Sequence, residues 1–441
     1  MQEQDKQPAT SPKRFSRLKA IVLAIVVLIL LLPLCIYIPF IQNAACNFAC
    51  KKASEATGLD IRIERISLKP VLDIGLNGFV AREPQTADTL LAAESLTLKA
   101  KLLPLIWLEI DIDEAALNNS RLHYITNDSS LVLNAQVQNF TFYPASVNLS
   151  DNVITLTDAN ASGGNIDLLY LREKVIPTPP NPSPTTWHIE AQNITLDSIN
   201  YSMRMLPHID TLQVALTHAE LHRGMVDTRT RKVFARSLSV NGIDARYIFP
   251  TAEVRANAPK PMPNPYADPN SPNWTVQGDS VSLSNAHGIY ALAKHEPGKG
   301  IDFNYLEISN AGFSVTNFFN QGLATTVPIQ SLKLTERCGL AITRAQGTFA
   351  IDSALTRFDG IELHTLLSDA ALDGTISTRL LTASITSVGD LKLALNSNID
   401  LNDVRKAFPA YDFILRDIPA YQPISAQIEV AGDAQKVSIT K

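Results

Sequence analysis

Charge is scarce in this chain. Only 18% of its 441 residues are Asp, Glu, Lys or Arg, and together they carry a formal net charge of −5. A nucleic-acid partner calls for a basic face, and this balance supplies none. Aromatic residues make up 7%, few for one large globular core. The abundant Leu, Ile, Val, Thr, Ser and Asn suit many half-buried strands better. Cysteine is nearly missing: Cys35, Cys46, Cys50 and Cys338 form neither a disulfide framework nor a zinc pattern. Cys46 and Cys50 stand four apart, a poor spacing for a bridge on a helix, and read as two small residues on one helical face. Helical signals are also few. Residues 42–57 are Ala-rich with Gly58 behind them, which predicts a helix with a glycine stop. Residues 402–408 predict a short helix capped by Asn402 or Asp403, and 316–323 is a further candidate.

Catalytic constellations are missing as well. His218 and His222, in THAELHRG, could set two ligands on one helix face. The metalloprotease pattern needs Glu directly after the first His, however, and Ala219 stands there, so both read as surface histidines. Gly298-Lys299-Gly300 follows Pro297 and reads as a hairpin turn rather than a phosphate loop. Gly163-Gly164 reads as a turn. Asp111, Asp113 and Glu114 alternate with apolar residues and read as the wet face of a strand. Sequons such as Asn139-Phe140-Thr141 and Asn193-Ile194-Thr195 are expected by chance in an Asn-rich chain. No enzyme, cofactor or metal is expected.

What is present begins with an apolar run. Residues 20–41 read AIVLAIVVLILLLPLCIYIPFI without one charge. At ~1.5 Å per residue they span roughly 30 Å of hydrocarbon. Lys13, Arg14, Arg17 and Lys19 precede the run, so the positive-inside rule places residues 1–19 in the cytoplasm and the chain from about Gln42 across the membrane. A cleaved signal peptide would have a shorter apolar region, although Ala44-Ala45-Cys46 offers small residues for a peptidase. No second run follows, so a single-pass anchor is expected.

Beyond the anchor one pattern recurs: apolar-x-apolar-x-x-apolar-x-apolar. It occurs at Ile61, Ile63, Ile66, Leu68 and at Ile110, Ile112, Ala115, Leu117. It returns at Ile189, Ala191, Ile194, Leu196 and at Leu238, Val240, Ile243, Ala245. Val276, Gly278, Val281, Leu283 and Leu306, Ile308, Ala311, Phe313 complete the set. Period-two alternation puts apolar residues on one sheet face. The extra central residue would flip that face unless a bulge or bend absorbs it. Each copy therefore reads as a bent strand, or two short strands, with one apolar side. Above this lies a larger likeness: WHIEAQNITL from Trp187 resembles WTVQGDSVSL from Trp274, and each follows a proline-rich stretch. Proline at that density excludes ladder pairing. The expected organisation is a first β-module at 59–172, a Pro-rich loop at 173–186, a second module at 187–258, a Pro-rich loop at 259–273 and a third module at 274–441.

Several stretches resemble the AsmA-like family, particularly the N-terminal region of its TamB-type members. ASEATGLDIRIERI at 53–66 resembles the family's opening, a helix running into glycine and an I-x-I-x-x-I strand. Asp88 to Leu91 leading to Leu96-Thr97-Leu98 resembles the next step, as does Ile110 to Arg121 with Leu122-His123-Tyr124 after it. IQSLKLTERCGLAITRAQGTFAIDS at 329–353 resembles a TamB-type segment of strand, G-T-F and aspartate. TamB-type proteins are longer, so the chain reads as a short relative or the front of a longer protein. The resemblance implies an inner-membrane-anchored periplasmic protein, mostly β, whose elongated, bent antiparallel sheet forms a groove with one apolar face. It further implies phospholipid passage toward the outer membrane, with no catalytic residue. An outer-membrane β-barrel partner and a role in outer-membrane protein assembly are the competing expectation. From spacing alone the same apolar positions suit a closed sandwich core equally well. The candidate lipid-contacting residues are Ile61, Ile63, Ile66, Leu68, Ile110, Ile112, Ile189, Ile194, Leu196, Val276, Val281, Leu283, Leu306, Ile308 and Phe313.

Overall fold

A computed structural model of the chain describes residues 39–69, 73–84, 88–100, 112–125, 131–148, 151–171, 186–206, 210–258, 272–379, 391–415, 423–432 and 437–439. The expected anchor at 20–41 lies almost wholly outside them, as do Ile110, Asp111 and most of both proline-rich loops. Among the described residues no helix is long and apolar enough to cross a membrane. The chain divides into two compact units, Met1–Ile112 and Asp113–Lys441.

In the first unit, helix α1 (Pro39–Thr57) packs on strands β1 (Asp60–Arg62) and β2 (Arg65–Lys69). Gly58 ends the helix as expected: at φ 73 its N–H donates to Ser54 O at 2.9 Å. Cys46 and Cys50 are unbonded, their sulfurs 4.0 Å apart, and burial together with the Cys50 neighbour pushes the Cys46 thiol up to about 11. β1 and β2 both pair with β3 (Asp73–Arg82), and β3 pairs with β4 (Thr89–Ala100). The first copy of the recurring pattern is thus two short strands on one neighbour. The break at Ile63-Glu64 faces Gly78, whose φ is 65.

The second unit is a bent, mixed sheet in which every strand pairs with the next. Its first three strands, β5 (Ile112–Ile125), β6 (Leu131–Asn148) and β7 (Val153–Leu171), form an antiparallel meander. So do β8 (His188–Leu206), β9 (Asp210–Asp227) and β10 (Lys232–Phe249). A third run starts with β11 (Thr275–Leu292), β12 (Tyr305–Gln321) and β13 (Ala324–Glu336). It continues antiparallel through β14 (Ala341–Ile351), β15 (Leu355–His364), β16 (Asp369–Ser377), β17 (Leu391–Ile399), β18 (Ile424–Gly432) and β19 (Val437–Ile439). The expectation of a purely antiparallel sheet is corrected at two places: β7 runs parallel to β8, and β10 runs parallel to β11. Both steps fall where the proline-rich stretches stand, because an unbroken meander would need hairpins there and proline supplies no ladder donor. Trp187 and Trp274 immediately precede the strands that open the second and third runs.

The pattern's extra residue has a structural cause. In β7 to β12 the ladder skips one residue per strand at a shared level: Thr157, Gln192, Arg223, Arg236, Asp279 and Asn317. Six residues along each of β7 to β11 a second skipped row crosses, and it extends to β5. It holds Asn119, Gln138, Gly163, Ser198, Thr217, Gly242 and Asn285. Five of these seven have positive φ, between 48 and 76. Asn and Gly tolerate that left-handed region best, which explains their abundance here. Because β7 to β11 break together, their register stays one-for-one while each keeps its apolar side on the same face.

Two expectations fall to these rows, and a third, the cap of a helix, falls elsewhere. Gly163-Gly164 is not a turn but lies in mid-β7, Gly163 at φ 63 in the second row. Residues 316–323 are not a helix but the end of β12 and the turn after it. Val315 and Phe318 mimic a helical three-residue spacing because the skipped Asn317 lies between them. The helix α3 (Leu401–Ala407) forms as expected, but Asp400 caps it, accepting from Asn402 N at 2.7 Å. Asp403 is instead buried against Thr365 and Ser368. An additional one-turn helix, α2 (Ala252–Asn257), follows β10, and α4 (Asp412–Leu415) follows α3.

Candidate functional site

The two faces of the second unit's sheet differ in chemistry. On β8, one face carries Glu190, Asn193, Thr195 and Asp197 while the other carries Ile189, Ala191, Ile194 and Leu196, the change of parity falling at Gln192. Cross-strand pairs knit the polar face: Asn193 Nδ2 donates to Asp158 Oδ1 at 2.9 Å, and Asn200 Nδ2 to Asn165 Oδ1 at 3.0 Å. Ser202 donates to Asp167 in the same ladder. His218 lies 2.7 Å from Asp197 and His222 lies 2.8 Å from Asn193. These histidines are on a strand, not a helix, and they face the polar side. Asp197 and then Glu220 raise the His218 pKa; Asp244 raises that of His287, and Glu190 that of His188. Among the described residues no cluster of three or more His, Cys, Asp or Glu could hold a metal.

The apolar face is the candidate site. Apolar side chains of six neighbouring strands, β8 to β13, wall a cavity of about 460 Å³. Strands stand ~4.8 Å apart, so five spacings cover roughly 24 Å. Side chains on a flat sheet of that width would stand parallel and enclose nothing. The sheet must therefore curl, and a skipped row shared by β8 to β12, added to the normal twist, is a means of curling it.

Of the sequence-predicted residues, Ile189, Ile194, Val276, Val281 and Phe313 come together in this cavity. Leu196, Leu283, Leu306 and Ile308 do not line it. They continue the same face of β8, β11 and β12, as their registers with Ala219, Phe313, Tyr290 and Gly288 require. Ile61, Ile63 and Ile66 are half-buried in the first unit. Leu68 lies on β2 and Ile112 opens β5; Ile110 is outside the described residues. Asp113 and Glu114 lie on β5, Asp113 exposed and Glu114 half-buried.

Sequence reasoning missed β9, which adds Leu221, Gly224 and Val226 to the wall. The signal was present: Val214, Leu216, Ala219 and Leu221 repeat the same spacing, hidden by the histidines of THAELH. Leu238 carried the pattern, and Val315 and Phe318 extend it past Phe313. Farther along the face the wall turns aromatic, with Tyr247, Phe249 and Tyr290 stacked at 4.6 to 6.5 Å between ring centroids. The Tyr247 hydroxyl donates there to Asp210 at 3.2 Å.

Burial decides the character of this surface. In the second unit, Ile199, Pro250, Val315 and Leu401 are the only described apolar side chains larger than alanine that are buried. Ile189 and Val226, both on the cavity wall, are 36% and 37% exposed. A closed sandwich would bury such residues against a second layer. Among the described residues, no helix or second sheet packs on this face. No family model matches the chain, and neither a curated protein nor a solved structure matches it significantly.

Proposed function

We propose that the chain is a phospholipid conduit: an inner-membrane-anchored, periplasmic β-groove that carries lipids between inner and outer membranes and catalyses no covalent chemistry. The observation that carries this reading is the apolar face that no described layer covers, most of whose side chains around the cavity stay partly exposed. Two acyl chains in water cost ~0.8 kcal/mol per methylene, on the order of 20–25 kcal/mol for one phospholipid. A continuous aliphatic surface removes most of that barrier without tight binding at any point. The skipped rows serve this purpose, because they keep the same chemistry on one side over strands of up to 19 residues. The resemblance to AsmA-like proteins supports the same reading and the same compartment.

Photocrosslinking amino acids at Ile194, Val281 and Phe313 test it, with Thr195 and Ser282 on the opposite face as controls. Phospholipid adducts at the first three and none at the controls are expected. Equal labelling of both faces, or no lipid adduct anywhere, overturns the proposal. Adducts to protein alone favour assembly work with an outer-membrane β-barrel.

A further inference from the structure

The registers give the apolar cavity a definite shape. Ala191, Gly224, Ala235 and Gly278 stand side by side on β8, β9, β10 and β11 and form its floor. Two residues away on each strand, Ile189, Val226, Val233 and Val276 make one wall. The opposite wall is Ile194, Leu221, Leu238 and Val281, three residues away, because the first skipped row runs between it and the floor. That extra residue sets the second wall back and opens a trough across the strands. On β12 the floor position is taken by Phe318, the partner of Gly278, and Phe313 and Val315 complete an end wall. On β7 it is taken by Leu156, the partner of Ala191. Small residues alone would only let something approach the backbone; the walls and ends around them define a space.

Chemistry and length select what this space can hold. Among the described residues that line it, Gln277 alone has a side chain with an amide, hydroxyl or charge. Every floor strand is already paired on both sides. A peptide segment laid in the trough would therefore bury N–H and C=O groups without partners, which is costly. A hydrocarbon chain brings no such groups. From Ala191 to Gly278 there are three strand spacings, ~14 Å. One leaflet's share of a bilayer's ~30 Å hydrocarbon core is ~15 Å, so one acyl chain matches the floor. The two ends of the trough differ in wetness. Ile189 on β8 and Val226 on β9 are the exposed members of the lining, whereas Val315 on β12 is only 2% exposed. An apolar chain terminus belongs at the dry end and a headgroup at the wet one.

We propose that the trough seats one acyl chain of a phospholipid at right angles to the strands, its terminal methyl against Phe313 and Phe318 and its carbonyl end over Ile189 and Val226. The seat rests on the reading of the apolar face as a lipid surface and adds a direction to it: the lipid lies across the sheet, tail toward β12, rather than along a strand. Phe318 is the positioning residue, because its half-buried side chain ends the floor. Val327 lies one strand farther, on β13, and still borders the cavity.

The test uses the full chain in phosphatidylcholine nanodiscs doped with a phosphatidylcholine that carries a diazirine on one acyl chain, either at its terminal carbon or next to its carbonyl. Labelled residues are mapped by mass spectrometry after irradiation. The terminal probe is expected to label Phe313, Val315 and Phe318 at least fivefold over Ile189 and Val226, and the carbonyl-side probe to show the reverse. Phe318→Ala should carry the terminal probe's label onto Val327. Ala235→Leu fills the middle of the floor and should lower trough labelling at least tenfold, while Val240 and Ile243, on the same face outside the cavity, keep theirs. The polarity of the wild-type label decides the case should that variant not fold. Equal labelling of both ends by the two probes, or undiminished trough labelling in a folded Ala235→Leu protein, overturns the seat and leaves the conduit standing. Label on Val240 and Ile243 with none in the trough also overturns it, and shows the trough covered by a second copy or another protein. No lipid label anywhere condemns the conduit along with the seat.

Discussion

Single residues in the skipped rows set the direction of the apolar face. Gly242 sits at φ 76, and a Cβ built on it would lie 2.6 Å from Thr217 Oγ1 and 2.7 Å from Thr217 Cβ. Both the backbone region and the close neighbour oppose a β-branched side chain. Gly242→Val should therefore destabilise the protein by ~1–3 kcal/mol, read as a lower urea midpoint. The polar face titrates instead. His188, His218 and His287 each have a raised pKa because a carboxylate accepts their proton-bearing nitrogen. A raised folded pKa stabilises fully below the unfolded value of ~6.5 and loses that contribution as pH rises through the folded pKa. Each side chain is about a third exposed, so solvent screens the pairs and the effect is small. The urea midpoint should fall slightly from pH 6 to pH 8, and replacing all three histidines by Gln should flatten that slope.

Elements were legible where alternation alone decides them. The helix with its glycine stop, the broken strand at Ile61 to Leu68 and the strands opening at Trp187 and Trp274 all follow from local pattern. The parallel steps were not legible, because pairing direction is settled by partners distant in sequence and proline only forbids what it interrupts. Residues 316–323 misled for a definite reason: a skipped residue converts a two-step into a three-step, which is also the helical interval. Buried polar capping escaped too. Asp403 looked like a helix cap, yet its carboxylate faces Thr365 and Ser368 from the turn after β15, a contact 35 to 38 residues away. Asp403→Ala leaves those hydroxyls without their acceptor and should loosen α3 by ~1–3 kcal/mol. Amide exchange should then quicken across 401–408 with little change in β8 to β11, since no hydrogen bond joins α3 to those strands.

At the scale of the whole molecule, the second unit's sheet gains its stability along the ladder rather than from a dry core. Its buried apolar positions are mostly alanines, and the larger aliphatics stay partly wet. A bound acyl chain should then act like a missing layer. Saturation with a short-chain phosphatidylcholine below its micelle concentration should raise the melting temperature, with ~2.7 kcal/mol expected at a hundred times the dissociation constant. Val281→Asp, placing a charge on the cavity wall, should abolish that rise. The cavity wall was half legible beforehand. Five of the fifteen candidates meet in it, because periodicity assigns a face but says nothing of where along that face the sheet closes most tightly.

The two parallel steps have a consequence for how such a chain can grow. After β7 and again after β10 the polypeptide returns to the end at which the preceding meander began, so β5, β8 and β11 all point the same way. A three-strand segment can be duplicated or lost between these points without inverting any strand downstream or moving either skipped row out of line. Reach is therefore adjustable in increments of one meander, by gene duplication alone.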